Sequence, residues 1–127
     1  MARTHKIICA GFGGQGILLL GKLLALCAMR ENKFTTFMPS YGAEVRGGTA
    51  YSMTIISDAP ISSPVVIAPD SSIIMNEPSF QKFKDRVTIG GLILVNSSLV
   101  KKVPLGGRVD IIGLPFTEIA LQLGNAK

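Results

Sequence analysis

Two glycine-bearing segments carry the residue types most suited to chemistry. Gly11-Phe12-Gly13-Gly14-Gln15-Gly16 has the G-x-G-x-x-G spacing, between an apolar strand-like run and an apolar helix-like run. That is the setting in which glycines let the backbone turn tightly and approach an anion, with the free amides of a helix start directed at it. Gln15 adds a side chain with both donor and acceptor at the helix entrance, able to contact a ligand or cap a neighbouring loop. The second segment runs Ser40-Tyr41-Gly42-Ala43-Glu44-Val45-Arg46-Gly47-Gly48-Thr49. Arg46 suits a phosphate or carboxylate as a charged fork, and Glu44 suits fixing Arg46 or a neighbouring chain. Two plainer readings stand beside these: a tight strand-to-helix turn for the first segment, and a solvated Glu/Arg pair for the second.

Other chemistries have weaker support. A dinucleotide site wants an acid about 20 residues beyond the glycine turn, at the end of the second strand. Phe37-Met38-Pro39-Ser40 occupies that place, with Glu31 too early and Glu44 too late. Cys9 and Cys27, with 17 residues between them, lie in apolar surroundings without a CxxC partner, so they read as buried free thiols and not as cluster or zinc ligands. His5, the sole histidine, reads as a solvated residue of an N-terminal tail. Asp70 and Glu77 flank prolines and suit turn and helix-cap duties. Met29, Met38, Met53 and Met75 read as fillers of core gaps, some at a subunit interface. The charge of +5 is dispersed, with Lys82/Lys84/Arg86 and Lys101/Lys102 as small clusters, which argues against nucleic-acid binding.

The elements needed to position these segments follow from period and punctuation. Lys6–Ala10 predicts a buried parallel strand, and Gly16–Arg30 a mostly buried helix with Ile17, Leu20, Leu24 and Cys27 on one face, widened by Leu19, Leu23 and Leu26. Lys33–Met38 predicts a second strand stopped by Pro39, and Thr49–Ser57 a third whose direction the alternation leaves open. Val65–Ile67 reads as a continuation of that edge, Ser72–Met75 as a further parallel strand, and Pro78–Lys84 as a helix with proline in its first turn. Leu92–Asn96 and Val109–Ile112 supply the last strands, and Pro115–Leu123 a final helix stopped at Gly124-Asn125. The fold class is α/β: a Rossmann-like, doubly wound, mostly parallel sheet with helices on both faces, formed as one domain over residues 1–127.

Only 17% of the residues are charged against 47% hydrophobic, so the sequence is short of solvating side chains, which suggests surface buried in partners. The longest apolar stretch, Ile17–Met29, is interrupted by Lys22 and falls short of the roughly 18 residues a spanning helix needs. The N-terminus lacks the features of a secretory signal, and the expected compartment is the cytoplasm.

GFGGQG after strand one, a long apolar helix, then MPSYGAEVRGGTAYSMTIISDAPISSPVV and PDSSIIMN closely resemble the γ subunit of 2-oxoacid:ferredoxin oxidoreductases, over about residues 6–85. The resemblance implies a multisubunit enzyme that decarboxylates a 2-oxoacid with thiamine diphosphate and magnesium. Electrons pass through iron-sulfur clusters to ferredoxin, and the acyl group goes to coenzyme A. It implies α, β and ferredoxin-like δ partner subunits holding the thiamine and the clusters, no cofactor held by this chain alone, and no activity of the isolated chain. It places Gly11, Gly13, Gly14, Gln15 and Gly16 on one wall of the coenzyme A and substrate entrance, and Ser40, Tyr41, Glu44, Arg46, Gly47 and Gly48 on another. MPSYG and RGGTAY favour 2-oxoglutarate members over branched-chain 2-oxoacid and pyruvate members. Family γ chains continue into further helices after a region like Glu118–Lys127, so the resemblance implies a C-terminally shortened chain or a last layer supplied from elsewhere. The competing readings are a free-standing NAD(P)-binding oxidoreductase domain and a non-enzymatic interaction module.

Overall fold

The computed structural model describes residues 3–12, 16–40, 50–101 and 107–124. The elements in chain order are β1 (Thr4–Gly11), α1 (Ile17–Arg30), β2 (Phe34–Ser40), β3 (Ala50–Ser57), β4 (Ser71–Ile74), α2 (Glu77–Phe83), β5 (Leu92–Asn96), β6 (Asp110–Leu114) and α3 (Phe116–Gln122). The strands form one sheet in the order β2-β3-β1-β4-β5-β6. β3 is antiparallel to both its neighbours, and β4, β5 and β6 follow β1 in parallel. Five of the six described strands therefore share a direction, and the α/β reading with a mostly parallel sheet holds.

Alternate residues of β1 serve opposite layers, as the period of two requires. Ile8 and Ala10 join Ile55, Ile74, Ile93 and Val95 beneath Phe80 and Phe83 of α2. Ile7 and Cys9 meet Ile17, Leu20 and Leu24 of α1 on the other face. Fully burying an aromatic such as Phe83, which is inaccessible to solvent, stabilises by roughly 2–3 kcal/mol.

α1 departs from its expected orientation. Its buried residues are Ile17, Gly21, Ala25 and Ala28, while Leu19, Leu23, Leu26, Cys27 and Met29 are exposed. The cause lies on β3, where the buried Thr54 hydroxyl donates to the Gly21 carbonyl at 3.0 Å and Ser52 donates to the Ile17 carbonyl at 3.4 Å. Such bonds require the helix backbone to lie close to the sheet, and only small residues fit between. The leucines are thereby turned outward, so Cys27 is not the buried thiol, nor Met29 the core filler, that their apolar setting suggested.

Three further expectations change. β2 runs through Pro39 to Ser40, because β2 is an edge strand and a missing amide is tolerated there. Val65–Ile67 forms no strand: only Val66 is buried, its amide donating to the Met53 sulfur at 3.2 Å while Val65 and Ile67 face solvent. His5 belongs to β1, where its Nε2 shares a 2.9 Å hydrogen bond with the Ser71 hydroxyl.

Asp70 and Glu77 have structural partners, but not the turn and helix-cap duties expected of them, the cap of α2 being Asn76. The Asp70 carboxylate accepts the Lys6 amide at 2.9 Å, and Glu77 accepts the Gln81 side-chain amide at 2.7 Å in the first turns of α2. No helix among the described residues is long and apolar enough to cross a membrane.

Candidate functional site

The carboxyl edge of the parallel strands gathers the ends of both glycine-bearing segments. Gly11 is buried at the end of β1 and pairs with Ala50, while Ser40 ends β2 and pairs with Tyr51. The two therefore flank the first residues of β3, about 10 Å apart at ordinary strand spacing. Gly16 precedes α1 with φ 76° and ψ 14°, a left-handed conformation that favours glycine, and its carbonyl accepts the first helical bond from Leu20 at 2.8 Å. With glycine at the cap, no side chain competes for the amides of the first turn. Gly13, Gly14 and Gln15 of the first wall, and Tyr41, Glu44, Arg46, Gly47 and Gly48 of the second, lie outside the described residues.

On the α2 face, Tyr51 packs edge-on against Phe83 with ring centroids 5.0 Å apart. The Lys82 ammonium stands 4.9 Å from the Tyr51 ring centre, and the Arg86 guanidinium 5.2 Å from that of Phe83. The ring faces attract these cations and hold positive charge beside the strand end from which residues 41–49 depart.

On the α1 face, a cavity of about 360 Å³ opens between α1, β4 and β5, with Gly16, Ile17, Leu20, Ile73, Leu94 and Phe116 in its walls. It lies where the chain order diverges, with β3 and β2 on one side of β1 and β4, β5 and β6 on the other. Ligands of open α/β sheets bind at such a point.

Sequence reasoning missed the residues that hold this edge together. The buried Asn96 side chain donates to the Met75 carbonyl at 3.1 Å and to the Thr117 hydroxyl at 2.9 Å, and accepts the amides of Ser98 at 3.2 Å and Thr117 at 3.4 Å. One amide thus ties the β4–α2, β5–β6 and β6–α3 connections. Asn76, also buried, caps α2 by accepting the Ser79 amide at 2.9 Å. An asparagine after an apolar strand gives only a turn signal in sequence, and nothing in its spacing announces this role.

Nucleophilic chemistry at Cys9 is suppressed by its surroundings. Burial pushes its thiol up from the ordinary value of 9.0 to about 11, opposed in part by a hydrogen bond with Ser52, so at neutral pH it stays protonated. The dinucleotide reading loses ground for a topological reason. In that fold the second strand lies directly beside the first; here antiparallel β3 separates β2 from β1, and β2 ends in Phe37-Met38-Pro39-Ser40.

Fold and edge together define an α/β domain whose two glycine-bearing segments begin at the carboxyl end of a mostly parallel sheet. Residues 6–127 match the pyruvate ferredoxin/flavodoxin oxidoreductase family. The chain belongs to that family. It is 42% identical over 122 residues to the 2-oxoglutarate synthase subunit KorC of Methanocaldococcus jannaschii, covering 92% of this chain and 64% of the relative. It is 41% identical over 122 residues to the ketoisovalerate oxidoreductase subunit VorA of Methanothermobacter thermautotrophicus, covering 96% of this chain and 25% of the relative. The crystal structure of a keto/oxoacid ferredoxin oxidoreductase γ subunit from Geobacter sulfurreducens superimposes with a TM-score of 0.81 at 29% identity, covering 96% of this chain and 68% of that one. The chain spans about two-thirds of the KorC relative and a quarter of the VorA relative.

Proposed function

We propose that this chain acts as the γ-type subunit of a 2-oxoacid:ferredoxin oxidoreductase, with 2-oxoglutarate as substrate and succinyl-CoA as product. The observation that carries this reading is the pairing of Gly11 with Ala50 and of Ser40 with Tyr51. It puts Gly11 and Ser40, where the GFGGQG and SYGAEVRGG segments begin, on either side of β3 at one edge, which supports reading the two segments as walls of a single mouth. The amides at the start of α1 and the Lys82 cation suit an anionic, phosphate-bearing substrate such as coenzyme A. In this reading, partner α, β and δ subunits hold thiamine diphosphate, magnesium and the iron-sulfur clusters, and ferredoxin accepts the electrons in the cytoplasm. The thiamine supplies the decarboxylation chemistry; this chain's residues shape the mouth and orient what enters it.

The test is to co-purify the chain with its native partners and follow coenzyme A-dependent viologen reduction with 2-oxoglutarate, a branched-chain 2-oxoacid and pyruvate in parallel. Turnover with 2-oxoglutarate preferred supports the full proposal. Preference for the branched-chain acid keeps the subunit role and replaces the substrate, an outcome made pertinent by the near-equal identity to the KorC and VorA relatives. An assembly inactive with all three acids, or turnover by the isolated chain, overturns it.

A further inference from the structure

Lys6 occupies an unusual place for a lysine. It sits within β1, an inner strand of the sheet, half-buried and on the same side as Ile8 and Ala10. Its ammonium makes no hydrogen bond or ion pair among the described residues, although a charge drawn out of water is normally paired. The carboxylates beside it in the fold are committed elsewhere. Asp70 accepts the Lys6 backbone amide at 2.9 Å and the Thr88 hydroxyl at 3.5 Å, while Asp58 pairs with Lys33 and accepts the Arg3 amide at 3.3 Å.

Lys6 lines a cavity of about 220 Å³ between the sheet and the β3–β4 connection. Ile61 and Val66 of that connection pack on the core, which holds Ser62 and Ser63 over β1 and β3. Among the described residues the walls carry no carboxylate, and their hydroxyls are wired to donate. Ser57, almost fully buried, accepts the Ala59 amide at 3.1 Å and shares a 2.9 Å hydrogen bond with Thr4. Two hydroxyl protons belong to that pair and one lies between them, so the other is available to a guest. Ser63 accepts the Val65 amide at 3.3 Å and keeps its own proton to give.

We propose that this cavity binds a phosphate group, free or at the end of a small monoester, with the Lys6 ammonium as its counter-charge. One cation and hydroxyl donors on opposite walls suit an anion whose oxygens point in several directions, more than a planar carboxylate with two. The volume is several times a water molecule's share of roughly 30 Å³ and so admits phosphate with a short substituent. It falls below the roughly 300–1,000 Å³ of pockets for drug-sized ligands. A bound phosphate ties the β3–β4 connection to β1 and β3. Lys6 lies about 16 Å along β1 from Gly11, so the site is separate from the glycine-bearing edge, and this inference stands independently of the substrate assignment.

Titration of inorganic phosphate into the full chain tests it, with chloride holding the ionic strength constant so that general screening is the same throughout. Amide NMR should show saturable shifts at Thr4, Lys6, Ser57 and Ser63. Lys6→Met should raise the Kd at least about tenfold and Ser63→Ala at least about threefold, the losses expected for a charged and a hydroxyl donor. Ser63 is exposed, so its variant keeps the fold whatever Lys6→Met does. Glycerol 3-phosphate in a parallel titration separates the two sources: tighter binding than inorganic phosphate assigns the monoester, weaker binding the free ion. Absence of saturable shifts, shifts confined to Gly16 and Ile17, acetate acting as well as phosphate, or a Kd unchanged in either variant each overturns the proposal.

Discussion

Gly21 of α1 and Ser52 of β3 face each other so closely that a Cβ on residue 21 would overlap the Ser52 hydroxyl, with Phe37 Cε1 at 3.1 Å and Ser52 Cβ at 3.2 Å. Alanine is the better helix former by about 1 kcal/mol, but overpacking costs roughly 1–3 kcal/mol and should win. Gly21→Ala is therefore expected to lower the denaturation midpoint. In the double variant Gly21→Ala/Ser52→Ala much of the loss should be recovered, a coupling that a double-mutant cycle reads directly.

Gly16 isolates the opposite effect, since nothing lies within 4 Å of a Cβ built there and its φ of 76° is the sole obstacle. Gly16→Ala should cost about 1–2 kcal/mol in urea unfolding, the price of a left-handed L-residue. Gly16→Asn should cost less, because asparagine visits that region more readily.

Asn96→Ala removes four hydrogen bonds from a buried position and leaves the Met75 carbonyl and the Thr117 amide without them. A destabilisation of about 2–4 kcal/mol is expected. Amide exchange should accelerate in α3 more than in β1, because the lost bonds hold α3 to the carboxyl edge.

Cys9 makes stability depend on alkaline pH. Its thiol, raised to about 11 in the folded chain from an ordinary 9.0, holds its proton more tightly folded than unfolded. The resulting stabilisation is complete below about pH 9 and lost as pH rises toward 11. Chemical unfolding of wild type against Cys9→Ala across that window should show the steeper decline in wild type. Equal slopes would remove the assignment.

How much was legible in the sequence depends on whether the deciding force was local. The apolar runs at Lys6–Ala10 and Leu92–Asn96 announced β1 and β5, and the glycine turn announced the start of α1. The direction of β3 was not legible, because period-two alternation is the same for either direction. The buried face of α1 was misread because leucine spacing outweighs Gly21, Ala25 and Ala28 in any hydrophobic pattern. What reverses it is the demand of Ser52 and Thr54 for helix carbonyls within hydrogen-bond reach, a contact between residues more than 30 positions apart. Val65–Ile67 carried strand-forming residues, yet Val66 alone enters the core. At the candidate site, both glycine-bearing segments were legible as motifs, whereas Asn96 and Phe116 acquire meaning only once β5 and α3 are adjacent.

The reversed direction of β3 also bears on how this scaffold can diversify. Ser40 and Tyr51 are directly paired, so whatever length of chain joins β2 to β3 departs from and returns to the same point of the rim. Lengthening such a closed excursion carries a small entropic penalty, about 0.6 kcal/mol per doubling. Insertions between these strands can therefore vary this edge while the sheet keeps its register, and under the proposed function the β2–β3 connection is the natural place for related chains to acquire different substrate preferences.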